Sequence, residues 1–469
     1  MKKILVWFRN ELRIHDNPAL FLACQEKNAQ VESVYIAPIE QWKEHNMSKI
    51  QCFFIWKNLK IFSKNLQKIG IKLNYFSCKK YRDQIKIIYY FCLKKKIGKI
   101  FYNKEYSVNE IKRDQKIKKI LKRKKIKIID LRGNLIFSPG KILSKKNIPY
   151  KKYYFFKKSF ISLVKKKKIS CFPVPKMKKE IFFSDCIPPF YKSFQKNRYK
   201  LQNFGEKEAI KKLKNFCRYK IKHYHKANKT VNDERNSQIS AFLSIGVISP
   251  RKCLYEVTKR KKYSQLSEGE KKWIEEIIWR EFYKHTLFFY PKFFFVKHYI
   301  SWTENIRWRK NRKIFKSWTN GKTGCPIVDA SMRMLKKKGW INNRLRMICA
   351  SFLVKNLFID WRMGEKYFMS KLIDGDVALN NGNWQWIAST GINSSPYYRI
   401  FNPYYQSKKI DKKGKFIKKW IPELNQISTE HLHEENFLKK IKNYSKIPEK
   451  DKYSKEEIID LYEKNKIKI

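Results

Sequence analysis

A chain of 469 residues, 43% of them hydrophobic and 16% aromatic, carries enough apolar surface for two or three packed domains, which excludes a disordered chain. No run of about 18 apolar residues occurs, and the stretch Ile4 to Phe8 after Met1-Lys2-Lys3 is too short for a secretory signal and lacks a small-residue cleavage site, so a soluble protein of the cytoplasm is expected. The net charge of +67 would draw the protein to polyanions, yet lysines occur everywhere, including the run Lys165 to Lys168, beside abundant Ile, Asn, Tyr and Phe and only 15 Gly; drift of the coding sequence toward A and T accounts for this as readily as a ligand footprint.

In chain order, short apolar runs at Ile4 to Phe8, Val31 to Ala37, Ile71 to Phe76, Lys99 to Tyr102 and Ile126 to Ile129 alternate with amphipathic stretches. This rhythm predicts an α/β domain over 1–132 built on a doubly wound parallel sheet, Rossmann-like in architecture. No G-x-G-x-x-G follows the first strand, so the ordinary dinucleotide fingerprint is missing. Residues 133–200 break into Lys-rich sequence punctuated by Pro139, Pro149, Pro173, Pro175, Pro188 and Pro189, expected as a long surface connection partly ordered by its aromatics. Residues 201–469 read as helical almost throughout, with Ser249-Pro250 and Ser395-Pro396 as expected helix boundaries. The ten cysteines form no C-x-x-C pair and no Cys/His group at zinc spacing, which fits reduced, mostly buried thiols; no metal site is expected.

Three segments mix groups that want burial with groups that want polar partners. Trp273, Glu276, Arg280 and Tyr283 fall on one side of a helix, with Trp279 adjacent. A core helix with one internal ion pair is the plain alternative. A second helix is expected to carry Trp340, Asn343, Arg344 and Met347 on one side, with Arg346 beside them. The third segment, Asp374 to Trp386, crowds Asp374, Asp376 and Asn380 against Trp384 and Trp386. Burying these without a polar ligand would strand donors and acceptors at about 1–3 kcal/mol each, so together they argue for an enclosed pocket suited to a large flat ligand.

Further matches run the length of the chain: Val6-Trp-Phe-Arg9, Leu12-Arg13, His15-Asp16-Asn17, His45-Asn46-Met47-Ser48, Phe101-Tyr-Asn103, Val108-Asn109-Glu110, Ile278-Trp-Arg-Glu-Phe-Tyr283, Gly321-Lys-Thr-Gly324, Pro326-Ile-Val-Asp329, Asn343-Arg-Leu-Arg-Met347, Asp374-Gly-Asp376, Trp384-Gln-Trp386 and Phe401-Asn-Pro403. In this order and at these intervals the chain resembles the class I cyclobutane pyrimidine dimer photolyases of the photolyase/cryptochrome family. The resemblance implies a light-driven DNA-repair enzyme, a carbon-carbon lyase, with FAD in a helical domain over 201–469 and an antenna chromophore on the α/β domain. It also implies electron transfer from excited, fully reduced FAD to a flipped-out dimer, splitting of the two linking bonds, and return of the electron.

Carried over by the resemblance, Tyr224 and the stretch Asn236, Ser237, Gln238, Ile239 and Ser240 would hold the phosphates and ribityl chain, while Trp273, Arg280, Asn343, Arg346, Asp374, Asp376 and Asn380 would surround the cofactor. Arg346 would pair with Asp374, and Asn380 would face flavin N5. Trp279 and Trp386 would stack on the dimer, Met347 would pack against it, Glu276 and Asn343 would bond its base edges, and Arg344 would contact the DNA backbone. Trp384, Trp361 and Trp308 match the family's electron-hopping tryptophans, although each is also an ordinary core residue. His45 to Ser48 with Asn109 and Glu110 resemble the signature for a 5,10-methenyltetrahydrofolate antenna, while Phe294 and Phe295 replace a Cys and Lys common there. Asn236, Gln238, Asn228, Asn342 and Asn383 also depart from the family pattern. The implied partner is damaged double- or single-stranded DNA, met by a monomer with no obligate protein partner and no membrane. A cryptochrome-like photoreceptor and a basic nucleic-acid binder without catalysis are the rival readings; Asn380 with the Glu276/Trp279/Met347/Trp386 set speaks against the first, and Asp374, Asp376 and Arg346 against the second.

Overall fold

A computed structural model describes residues 2–167, 169–176, 181–182, 187–188, 203–227, 230–231 and 236–467. Asn228 and Pro189 lie outside the described residues. The chain forms two compact units, one made of residues 1–222 with 237–291 and the other of residues 223–236 with 292–469. Among the described residues no helix is long and apolar enough to cross a membrane.

In the first unit, strands β1 (Lys2–Phe8), β2 (Ala29–Pro38), β3 (Leu73–Cys78), β4 (Ile97–Asn103) and β5 (Lys127–Leu131) form one sheet in the order β3-β2-β1-β4-β5. Every pairing is parallel, with Val6 beside Ser33 on one flank and Phe101 on the other. Helices α1 (Pro18–Gln25), α2 (Lys49–Gln67), α3 (Gln84–Lys94) and α4 (Val108–Arg123) make the crossovers. The run Ile4 to Phe8 is buried residue by residue, as a strand covered on both faces must be. The strand order reverses direction at β1, so the crevice outside the carboxyl ends of β1 and β4 is the topological switch point. Ile71 and Ile126, expected at strand starts, precede the strands: each amide turns back to a helix carbonyl, Leu66 or Leu121.

Several matched residues hold this unit together. Arg13 is 1% exposed and donates to the carbonyls of Asp16, Gly133 and Gly246. The Asp16 carboxylate, fully buried, pairs with Arg251 at 3.0 Å and accepts from the Ser249 hydroxyl. Asn17 caps α1 through Leu20 N, with Pro18 at the first helical position.

Within 133–200, helix α5 (Tyr153–Lys166) buries Tyr153, Phe156, Phe160 and Val164, which recur at helical spacing in the lysine-rich sequence. Helices α6 (Glu206–Tyr219), α7 (Pro250–Thr258) and α8 (Glu268–Phe289), helical as expected, belong to the same compact unit as the sheet. Ser249 caps α7 and Pro250 opens it, so that boundary falls where the sequence puts it. Ser267 and Glu270 cap α8 reciprocally.

The second unit is helical, with α9 (Arg312–Asn320), α10 (Pro326–Lys338), α11 (Asn343–Ser351), α12 (Trp361–Met369), α13 (Val377–Ala388), α14 (Pro403–Ile410) and α15 (Lys455–Ile467) as its longer elements. One apolar core includes Trp318, Phe352, Trp361, Phe368 and Trp384. Helices α12 and α13 cross at Gly364, where even a Cβ would come within 2.2 Å of the Trp384 ring. Asp329 is buried and accepts from Thr323 N at 2.8 Å, Gly324 N at 3.0 Å and the Tyr444 hydroxyl, so the Gly321 to Asp329 match is a structural turn. Ser395-Pro396 is not a helix boundary. Helix α13 ends at Ser389, which takes a left-handed φ of 61°, and α14 starts at Pro403 under the Asn402 cap, leaving Pro396 inside a connecting loop.

Glu11 is fully buried, and neither of its oxygens has a well-formed hydrogen bond among the described residues. Burial pushes its carboxyl up to about 7, against the opposing pull of Arg9. The folded state therefore binds a proton that the unfolded chain has released between about pH 4.5 and 7, and stability falls as pH rises through that window. Glu11→Gln is expected to reduce the loss of unfolding free energy between pH 5 and pH 8 by on the order of 2–3 kcal/mol, measured by urea titration at both pH values.

Candidate functional site

In the second unit the polar-aromatic residues converge on α11 and α13, which pack together. Asn342 caps α11 through Leu345 N. Because the cap falls there, Trp340 lies before the helix and does not share its face with Asn343 and Met347, contrary to the sequence expectation. Asn343 is exposed, and its Nδ2 lies 3.9 Å from Met347 Sδ one turn on. Arg344 is half-buried beside them.

Arg346 points the other way. Its Nη2 reaches both oxygens of Asp374 at 3.0 and 2.9 Å, and its Nε donates to the Ile341 carbonyl at 2.9 Å. Two anchors fix this guanidinium, and its Nη1 makes no hydrogen bond among the described residues. Asp376 caps α13, its Oδ1 accepting from Ala378 N and Leu379 N. Four residues on, Asn380 is 9% exposed and gives Nδ2 to the Glu365 carbonyl at 3.0 Å and the Glu365 carboxylate at 2.8 Å. Both amide hydrogens are thereby used and Oδ1 remains as an acceptor. Burial raises the Glu365 carboxyl, opposed by the Asn380 hydrogen bond. Glu365 escaped the sequence reading because an isolated acid on a helix carries no signature.

The tryptophans of α13 diverge. Trp384 is 2% exposed, edge-on to Phe368 at 5.0 Å and to Trp318 at 6.2 Å. Trp386 is half-buried and carries the Arg399 guanidinium 5.6 Å from its ring centre. Arg399 was missed as well; its sequence neighbours Tyr397, Tyr398 and Phe401 are the aromatic context that could have marked it. Trp361 is buried in the same core as Trp384, and Trp308 packs against that core from a half-buried position. No direct ring contact joins the three; Trp361 neighbours His298, and Trp308 neighbours Phe358 and Tyr462. Among the described residues the buried indole nitrogens of Trp308 and Trp361 have no hydrogen-bond partner.

In the first unit, α8 presents Trp273, buried against Phe216 at 5.4 Å, and Tyr283, also buried. Glu276 and Trp279 are half-buried. The ion pair anticipated on this helix is made by Arg280 with its neighbour Glu281 at 3.2 Å, while Arg280 also donates to the Asn134 carbonyl at 3.0 Å. Glu281 is fully buried and accepts from the amides of Ile136 and Phe137, so this part of the helix clamps the segment after β5. Trp279 stacks face to face on Tyr153, a residue outside every sequence motif.

Tyr224 is buried at the start of a single helical turn, in the second unit. Asn236 is half-buried, and Gln238 is exposed with a left-handed φ of 51°. Ile239 is buried, with half-buried Ser237 and Ser240 flanking the turn.

Of the residues expected at an antenna, His45 and Asn109 of the first unit lie close together. Asn109 Nδ2 lies 3.2 Å from His45 Nε2, and His45 stands 6.1 Å from the Tyr81 ring. Glu110 is 9% exposed, and its Oε2 has no well-formed hydrogen bond among the described residues; burial pushes its carboxyl up, helped by Glu105 and opposed by Arg113 and the Tyr81 hydroxyl. Phe294 is buried and Phe295 exposed, both in the second unit.

The family model for DNA photolyase matches residues 4–175, and that for the FAD binding domain of DNA photolyase matches residues 273–469. The deoxyribodipyrimidine photo-lyase of Buchnera aphidicola from Acyrthosiphon pisum is 43% identical over 95% of this chain and 92% of its own length. The enzyme of that name from Escherichia coli K12 is 38% identical over 92% of this chain and 91% of its own. The crystal structure of a bacterial class III photolyase from Agrobacterium tumefaciens superposes with a TM-score of 0.84 at 28% identity, covering 100% of this chain and 98% of that one.

Asp374→Asn leaves the Arg346 guanidinium without its counter-charge in a largely desolvated position, where the Asp374 side chain is 6% exposed and that of Arg346 24%. The expected loss is on the order of 1–3 kcal/mol in a urea titration of cofactor-free protein followed by tryptophan fluorescence.

Proposed function

The chain belongs to the DNA photolyase family and is an enzyme that uses light and FAD to split cyclobutane pyrimidine dimers in DNA; from that premise we propose how its own residues divide the work. Tyr224, Asn236 to Ser240, Trp273, Arg280, Asn343, Arg346, Asp374, Asp376 and Asn380 hold the cofactor. When bound, FAD in its fully reduced form supplies the electron that the dimer borrows and returns. The observation that carries the assignment is Arg346, fixed by Asp374 with one donor group unengaged, on a helix packed against that of Asn380. A fixed cation stabilises negative charge on a neighbouring flavin. Because Glu365 takes both hydrogens of the Asn380 amide, that side chain presents an acceptor, which suits an N–H such as reduced flavin carries at N5.

Trp279 and Trp386 receive the extruded dimer on aromatic surface, and Met347 lends a soft apolar contact. Glu276 and Asn343 bond its base edges, Arg344 meets the backbone, and Arg399 steadies Trp386 by a cation-π contact. Flipping costs little for a base pair whose stacking is already damaged. Splitting breaks two carbon-carbon bonds and restores two double bonds with no net gain of electrons, so neither Glu276 nor any other carboxylate has to act as a general acid. Trp384, Trp361 and Trp308 relay electrons to oxidised cofactor; their shared core excludes water from most of that route.

The antenna is a reduced folate, 5,10-methenyltetrahydrofolate, held by Asn109 and Glu110. The Glu110 Oε2, buried without a well-formed hydrogen bond among the described residues, is the kind of group a pterin amide edge would satisfy. The enzyme acts as a monomer on damaged single- or double-stranded DNA, its lysines supplying salt-sensitive affinity.

The test is recovery of intact thymines from a dimer-containing oligonucleotide by purified, chemically reduced protein under blue light and in matched darkness. Light-dependent recovery is expected from the wild type. Glu276→Ala should lower repair by roughly tenfold or more, the cost of losing a charged hydrogen bond to substrate, while FAD absorbance stays at wild-type stoichiometry. Loss of flavin in that variant would contradict the substrate-facing role.

A further inference from the structure

We propose that Tyr153 of α5 is a positioning residue for lesion recognition, holding the plane of Trp279 so that the indole offers a preset stacking surface. The inference rests on the reading of Trp279 as a wall of the lesion site. The two rings lie 3.4 Å apart between centroids with planes only 5° from parallel, the shortest ring separation found among the described residues. Tyr153 is 9% exposed, and its hydroxyl donates to the Glu275 carbonyl at 3.1 Å, a group on the same helix as Trp279. The stack is thus anchored at both ends to α8. Trp279 also has Phe282 edge-on at 5.8 Å and Tyr283 near-parallel at 5.7 Å with planes 28° apart, and Phe282 in turn meets Tyr153 and Phe156 edge-on. With these neighbours the indole stays half-buried.

The chemistry explains why such backing helps. A half-exposed indole on a helix can change χ2, and each lesion it stacks on must first freeze that motion. Stacking on a buried, hydrogen-bonded phenol freezes it before the DNA arrives. The second consequence is selectivity. Undamaged duplex, bound through phosphates, does not need the indole plane, so the backing ring should affect the preference for dimer-containing DNA and leave general DNA affinity alone.

The experiment compares Tyr153→Phe, Tyr153→His and Tyr153→Leu in FAD-loaded protein by dark binding to dimer-containing and undamaged oligonucleotides, followed by single-turnover repair. Tyr153→Leu is expected to lower the dimer-to-undamaged affinity ratio by roughly 3- to 10-fold, the size of one aromatic stack, with repair of already bound dimer nearly unchanged. Tyr153→Phe should retain most of the ratio, and Tyr153→His should fall between, which keeps the comparison decisive if the leucine variant does not fold. A ratio unaltered across the series, with Trp279→Leu strongly impaired, overturns the role of Tyr153 and leaves the wall reading intact. Tighter dimer binding by Tyr153→Leu also overturns it, because Tyr153 would then be covering the face the lesion needs. If Trp279→Leu itself binds dimer normally, it is the wall reading that fails.

Discussion

The ion pair between Arg346 and Asp374 ties the first turn of α11 to the turn that precedes α13, and much of the second unit follows from it. With Asp374 held, Asp376 is placed to cap α13, and the cap sets the helical phase of every residue beyond it. That phase decides that Asn380 meets Glu365, that Trp384 enters the core and that Trp386, two residues on, stays at the edge. A guanidinium anchored at two points is a rigid charge, since little side-chain entropy remains to be lost when a ligand arrives.

How much of this was legible beforehand depends on sequence distance. The strands showed themselves as apolar runs, and Ser249-Pro250 announced a helix start, because a single local rule governs each. Trp340 fell outside its helix since the Asn342 cap outweighed the periodic pattern around it. Arg280 chose its immediate neighbour over Glu276 for a tertiary reason: Glu281 is locked in place by two amides from the segment after β5. Tyr153 on Trp279 and Glu365 on Asn380 link segments whose adjacency no periodicity encodes. The family resemblance located residues by role, but those two supporting contacts could only come from the packed chain.

The unusual composition also has a physical reading. Lysine is plentiful, yet the groups that fix the first unit internally are mostly arginines: Arg13 bonded to three carbonyls, Arg251 on Asp16, and Arg280 between Asn134 and Glu281. A planar fork with five donors can satisfy several backbone oxygens at once, which an ammonium on a flexible stem does poorly. The lysines belong largely to solvated faces, as on α4, where Lys116, Lys119 and Lys122 are exposed.

The crossing at Gly364 has an evolutionary corollary. Only 15 of the 469 residues are glycine, and some of these stand where backbone or ring atoms crowd the Cα. Gly364 leaves no room for a methyl against Trp384, and Gly269 and Gly246 press equally close on the backbone at Lys222 and Asn10. Substitution meets a steric wall at these three sites, so each can change only together with the group it faces, whereas Gly98, with open space where a Cβ would sit, carries no such restraint.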